Sequence, residues 1–123
     1  MARQPDAGSS PTRAAPTPRR GDVYWVTFGE PVGRRPVLII QNDVGNRHFT
    51  STIVAHVSAT PRRDYPFLVA LDAAELGKPA WVHCETVNTI PVALLEERLG
   101  TLGAQIMQKV DDALRRSLGL STA

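Results

Sequence analysis

GRRPVLIIQND, residues Gly33–Asp43, sets two arginines directly before an apolar run. Pro36–Asn42 (PVLIIQN) has almost no polar atom in its first half, the pattern of a central strand buried on both faces. A strand normally follows a turn residue; this one follows a pair of cations. Upstream, DVYWVTF (Asp22–Phe28) is aromatic and β-branched and reads as a strand, and GEPVG (Gly29–Gly33) as a turn. Downstream, DVGNRHFTS reads as a loop, TIVAHVS (Thr52–Ser58) as a strand and ATPRRDYP as a second loop. FLVALD (Phe67–Asp72) and AWVHCETVN (Ala80–Asn88) read as strands joined by AAELGKP. Pro91 opens a short helical turn through Leu95, and RLGTL is a last short strand.

The period then changes. Ile106, Val110, Ala113, Leu114 and Leu118 recur at helical spacing. Asp111–Arg115 and Asp112–Arg116 are i,i+4 pairs with the acid first, Gly103 is an adequate N-cap, and Gly119 stands where a C′ glycine ends a helix. The expected fold is mainly β with a C-terminal α-helix: a small, strongly twisted barrel or half-barrel closed by that helix.

At 123 residues the chain is one domain. A single cysteine, Cys84, rules out a disulfide within the chain and fits a reducing compartment. No apolar run approaches the roughly 18 residues of a membrane span, and no secretory h-region is visible, so the expectation is a cytoplasmic protein without a membrane partner. The net charge is +2, but four arginines against one aspartate lie within Met1–Arg20, leaving the remainder slightly acidic. That stretch, rich in Pro, Ala and Ser, is expected to be a disordered basic tail (1–20) ahead of the folded domain (21–120). Such a tail adds weak, salt-sensitive affinity for nucleic acid, or is only a solvated leader.

No phosphate-cradling glycine loop, nucleophile elbow or zinc-spaced Cys/His cluster is present. His48, His56 and His83 are scattered, and the latter two read as ordinary strand residues. Cys84 reads as a small buried hydrophobe, and Glu96-Glu97 and Asp111-Asp112 as solvated surface. By elimination the conspicuous polar residues are loop arginines: Arg34, Arg35, Arg47, Arg62 and Arg63. Gathered at one end of a barrel they form a cationic rim, and arginine forks suit phosphate oxygens. A merely solvated rim is equally consistent with these residues.

The stretches GDVYWVTF, GRRPVLIIQNDVGNR, TIVAHVSATPRRDYPF, ETVNTI and LGAQIMQKVDDALRRSLGL, in this order, resemble the MazF/PemK family of toxins from toxin–antitoxin pairs. The likeness runs from Gly21 to about Leu120. It implies an SH3-like barrel of the PemK/CcdB type, a homodimer, and cleavage of single-stranded RNA at short sequences without metal or other cofactor. The family's catalytic arginine, in its RP dipeptide, corresponds to Arg35. Its threonine corresponds to Ser58, which keeps the hydroxyl. The resemblance further implies an mRNA substrate, inhibited growth, and a cognate MazE-like antitoxin whose acidic, partly disordered segment blocks the RNA groove. DNA would be met only indirectly, through the antitoxin complex.

The implied chemistry is attack by a ribose 2′-OH on the adjacent phosphorus, leaving a 2′,3′-cyclic phosphate and a 5′-OH. Arg35 suits the role of electrostatic clamp and candidate acid toward the 5′-oxygen, a guanidinium being a poor base. Ser58 would donate to a phosphate oxygen. No residue names itself as general base; His48 is a loop candidate. Tyr24, Phe28, Phe49, Tyr65 and Phe67 are candidate stacking platforms, Tyr24 and Phe67 fitting a core equally well. Arg34, Asn42, Asn46, Arg47, His48, Phe49, Arg62, Arg63, Glu85, Thr86 and Asn88 are the candidate RNA contacts. Two departures stand out. GEPVGRRP is about five residues shorter than the glycine-rich stretch common before RP in relatives. HCETVNTI has Thr86 and Asn88 where relatives commonly carry Gln and Arg. The competing readings are a gyrase-directed toxin of the CcdB type and a catalytically inactive RNA-binding barrel.

Overall fold

A computed structural model describes residues 17–59 and 66–120. Two strands open it, β1 (Asp22–Phe28) and β2 (Gly33–Ile39), followed by helix α1 (Asp43–His48) and β3 (Ser51–Ser58). Then come β4 (Leu68–Leu71), a short α2 (Ala73–Leu76) and the long β5 (Ala80–Pro91). A 3-10 turn (Val92–Leu94), β6 (Arg98–Thr101) and α3 (Ala104–Leu118) complete it. The strands form one antiparallel sheet in the order β4-β5-β3-β2-β1-β6. It curls as expected: α2, which follows the edge strand β4, also packs on β6 at the other edge. This is the mainly β half-barrel with a C-terminal helix read from the sequence.

β2 is central, and both its faces are dry at its far end. Leu38 joins a core of Val23, Ala55, Val57, Val82 and Cys84 that α3 covers with Val110, Ala113 and Leu114. Val37 and Ile39, pointing the other way, join Tyr24, Val26, Val54 and Ile90. Burying each of these aliphatic side chains contributes about 1.5–3 kcal/mol. Two bounds of β2 differ from expectation. It begins at Gly33, so Arg34 and Arg35 lie inside the strand rather than at a loop end. It stops at Ile39, because Gln41 and Asn42 serve the next turn.

That turn is a correction: the expected loop after Asn42 contains a helix. Six residues are too short for periodicity to reveal, and side-chain hydrogen bonds hold them instead. Asn42 Oδ1 accepts from the Gly45 N–H at 2.8 Å, an N-cap. Asn46 is buried, its Nδ2 donating to the Gln41 carbonyl at 3.0 Å. Its Oδ1 accepts from Gln41 Nε2 at 3.0 Å and from Thr52 Oγ1 at 2.8 Å.

Of the expected tail, residues 17–20 belong to the fold, and residues 1–16 lie outside the described residues. Pro18 is fully buried. Arg20 is tied in three directions: its N–H to Asp43 at 2.7 Å, Nε to the Ile40 carbonyl at 2.8 Å and Nη2 to Asp111 at 2.8 Å. The last contact corrects the expected pairing on α3. Asp111 turns to Arg20, while Asp112 pairs with Arg115 one turn on, at 2.8 Å. Gly119 ends α3 as anticipated, at φ +72°, its N–H donating to the carbonyls of Arg115 and Arg116.

Asn46→Ala leaves partners of a buried network unsatisfied and is expected to cost about 1–3 kcal/mol in urea unfolding. Asp43's carboxyl is held below its ordinary range, chiefly by the Arg20 backbone N–H. A lowered folded pKa stabilises the fold at neutral pH, and that contribution is lost as pH falls through the folded value. Asp43→Asn is therefore expected to lower Tm at pH 7 and to converge with the wild type in acid.

Candidate active site

The β1–β2 hairpin sets Thr27 opposite Arg34 and Val26 opposite Arg35. Successive strand residues face opposite ways, so the adjacent arginines part company. Arg34 shares a face with Trp25, and its guanidinium lies 4.4 Å over that ring. Its Nε donates to Glu96 Oε1 at 3.0 Å, and Thr27 Oγ1 donates to Glu96 Oε2 at 2.6 Å. Those two hydrogen bonds, Thr27's first, hold the Glu96 carboxyl below its ordinary range. Arg34 is thus fastened by an aromatic face and a carboxylate.

Arg35 faces the other way, in line with Val37 and Ile39, and is exposed. Among the described residues its guanidinium makes one hydrogen bond, from Nη1 to the Arg34 carbonyl at 3.3 Å. The remaining donors of its fork are open to a ligand. β2 pairs with β3 in the register Val37–His56, Leu38–Ala55 and Ile39–Val54. The ladder ends at Val37–His56; two residues beyond it on each strand come Arg35 and Ser58, on the same face by strand parity. Both touch the rim of a cavity of about 330 Å³ that lies on the opposite face, lined by Arg34, Trp25, Pro36, Val57, Leu76 and Leu99 with Lys78 at its edge. Across β3, Ser58 pairs with Trp81.

One further residue of this face escaped sequence reasoning. His56 stacks on Phe28, ring centroids 5.0 Å apart and planes 22° apart, and its Nε2 lies 2.6 Å from Asn88 Oδ1. It stands two residues before Ser58, so strand parity was the signal available.

Residues 19–118 match the family model for PemK-like, MazF-like toxins of type II toxin–antitoxin systems. The chain belongs to this family. It is 37% identical over 110 residues to the endoribonuclease EndoA of Bacillus subtilis (strain 168), across 83% of this chain and 95% of that protein. A solved endoribonuclease in complex with its cognate antitoxin, from a mycobacterial species, superposes with a TM-score of 0.79 at 30% identity, covering 86% of this chain and 99% of that one. A MazE–MazF structure from Deinococcus radiodurans gives 0.73 at 26% identity, covering 85% and 99%.

In this MazF-like chain the anticipated cationic rim divides. Arg34 and Arg35 sit at the start of β2, and Ser58 beside them at the end of β3. Arg47, His48 and Phe49 lie on or just after α1, which joins the opposite ends of those strands. Four strand steps, roughly 13 Å, separate Arg35 from Ile39 before α1 begins, so His48 is no neighbour of Arg35. Asn42 is engaged as a helix cap and Asn46 is buried in its network, which gives both a structural task in place of base reading. Arg62, Arg63 and Tyr65 lie outside the described residues. Tyr24 is buried in the core of Val37 and Ile39, Phe67 packs partly buried against the other core under α3, and Phe28 borders the site.

Glu85 and Thr86 occupy the irregularity where β5 shifts register against Ala55 and His56. Burial works to raise the Glu85 carboxyl, but its own N–H, His83 and Thr86 prevail and hold it below the ordinary range. His83 is buried, with Nδ1 3.2 Å from Glu85 Oε2. Cys84 is fully buried, and that burial pushes its thiol up to about 12, with the charges of Glu85 and Asp111 adding to the effect. A thiol so placed is inert. Native protein is expected to resist iodoacetamide at mildly alkaline pH and to take up one equivalent only after unfolding, read by mass spectrometry.

Proposed function

We propose that this toxin-family protein is a metal-independent endoribonuclease that cuts single-stranded mRNA at short sequences. The observation that carries the reading is Arg35, an exposed guanidinium on a rigid strand, with most of its donors open and Ser58 on the same face. This suits a phosphate in transit to a phosphorane. The 2′-oxygen bonds to phosphorus, the P–O5′ bond breaks, and the products are a 2′,3′-cyclic phosphate and a 5′-OH. Arg35 would clamp the non-bridging oxygens and hydrogen-bond the departing 5′-oxygen, and Ser58 would donate to the phosphate. Charge stabilisation of this kind is worth several kcal/mol once water is displaced. Asn88, Glu85 and Thr86 on β5, with the fastened Arg34, are the proposed contacts for flanking nucleotides.

The solved mycobacterial and Deinococcus relatives include complexes with their antitoxins. By extension, a MazE-like antitoxin with an acidic segment would cover this cleft, and the toxin would act as a cytoplasmic homodimer, reaching DNA only through the antitoxin. No helix among the described residues is long and apolar enough to cross a membrane.

The test incubates purified protein with a long unstructured RNA in chelator, beside Arg35→Ala and Ser58→Ala. Expected are discrete cuts with 5′-OH ends, slowed about 10²–10³-fold by either substitution. Intact RNA from folded protein that remains toxic in cells would overturn the reading in favour of a protein target such as gyrase. Binding without cleavage would leave the inactive RNA-binding barrel.

A further inference from the structure

Cleavage by a 2′-OH requires a group to remove its proton, and Arg35, charged at all working pH, cannot do so. Resting on the endoribonuclease reading, we propose that His56 is the general base, held in the reactive tautomer by Asn88. The geometry has three parts. His56 lies on the face that carries Arg35 and Ser58: it pairs with Val37, two residues along β2 from Arg35, and stands two residues before Ser58 on β3. Neighbours of this kind on one sheet face sit about 7–8 Å apart, so the three side chains bracket a space the size of one ribose phosphate. Phe28, stacked on the imidazole at 5.0 Å, fixes its plane.

The second part is the tautomer. Nε2 lies 2.6 Å from Asn88 Oδ1, and a carboxamide oxygen only accepts. Nε2 therefore carries the hydrogen in the neutral ring, and Nδ1 keeps its lone pair. Among the described residues Nδ1 has no hydrogen-bond partner.

The third part is the surroundings. The ionisable groups on the strands beside His56 are Arg35 from β2 and His83, with its Glu85 partner, from β5. Among the described residues no carboxylate pairs with His56 itself, and its partner Asn88 is a neutral amide.

The step balances simply. Nδ1 takes the 2′-OH proton as O2′ bonds to phosphorus. The P–O5′ bond breaks with its electron pair on the 5′-oxygen, which takes a proton from water. The imidazolium returns its proton to solvent.

The test is single-turnover cleavage of an oligonucleotide carrying the mapped sequence, in chelator, from about pH 5 to about pH 9. Wild type, His56→Ala, His56→Gln and Asn88→Asp would be compared, with the fold of each checked by circular dichroism. Expected is a wild-type rate that falls in acid. Both His56 variants should lose that acid limb and about 10²–10⁴-fold of the plateau rate. Added imidazole should restore part of the rate in His56→Ala. Asn88→Asp sets a charge beside the ring and should move the limb up by about one pH unit. Should His56→Ala fail to fold, His56→Gln, which keeps a polar group toward Asn88, and Asn88→Asp decide the question. Cleavage by His56→Gln within about twofold of wild type, with the limb in place, would overturn this inference and leave the ribonuclease standing. Absence of cleavage in the wild type would overturn both.

Discussion

The two-residue period of β2 is the constraint on which the rest depends. Val37 and Ile39 enter one core and Leu38 the other, so the strand's far half cannot rotate or slip without wetting both. The near half inherits that fixed phase. Arg34 is delivered to Trp25 and Glu96, and Arg35 to the open face beside Ser58. Apolar burial at one end of the strand thus aims a cation at the other, with no contact to the guanidinium itself. This answers why a strand should begin with two arginines. Their places follow from the side chains that come after them.

The division of labour across the sheet has the same origin. β3 lies next to β2 and repeats its alternation, sending Ala55 and Val57 under α3 while His56 and Ser58 share the face with Arg35. β5 changes phase at its irregularity, where Glu85 and Thr86 sit, and returns Asn88 to that face opposite Val54. A bulge of this kind re-aims side chains along a strand. Here it allows a residue from a third strand to reach His56. Among the described residues the polar face is therefore assembled from the strands β1, β2, β3 and β5.

Much of this was legible in the sequence. β1, β3 and α3 announced themselves by composition and period, and Gly119 by its place after the last apolar residue. The likeness to a toxin family pointed to Arg35 and Ser58 together. Other features left no local trace. α1 is held by Asn42 and Asn46, polar residues that look the same whether they bond a nucleotide or their own backbone. Arg20 is ordered by Asp111, 91 residues away. Strand parity did set His56 in phase with Ser58, but it does not say that the same side chain meets Phe28 and Asn88. Those contacts depend on sheet order and on the register shift in β5, which are properties of the folded chain.

The fastening of Arg34 and the freedom of Arg35 bear on how the hairpin can change in evolution. The turn between β1 and β2 lies outside both cores, with Gly29–Val32 exposed. Its length is thus uncoupled from the phase of β2, so a shorter or longer turn would leave Arg35 on the same face. Residues between Arg35 and Val37 have no such licence. One insertion there would invert the phase of both arginines, turning Arg35 toward the face of Trp25 and setting Arg34 on the open face, one pair of residues farther from His56. Variation in length belongs before Gly33, and variation after it is limited to substitution.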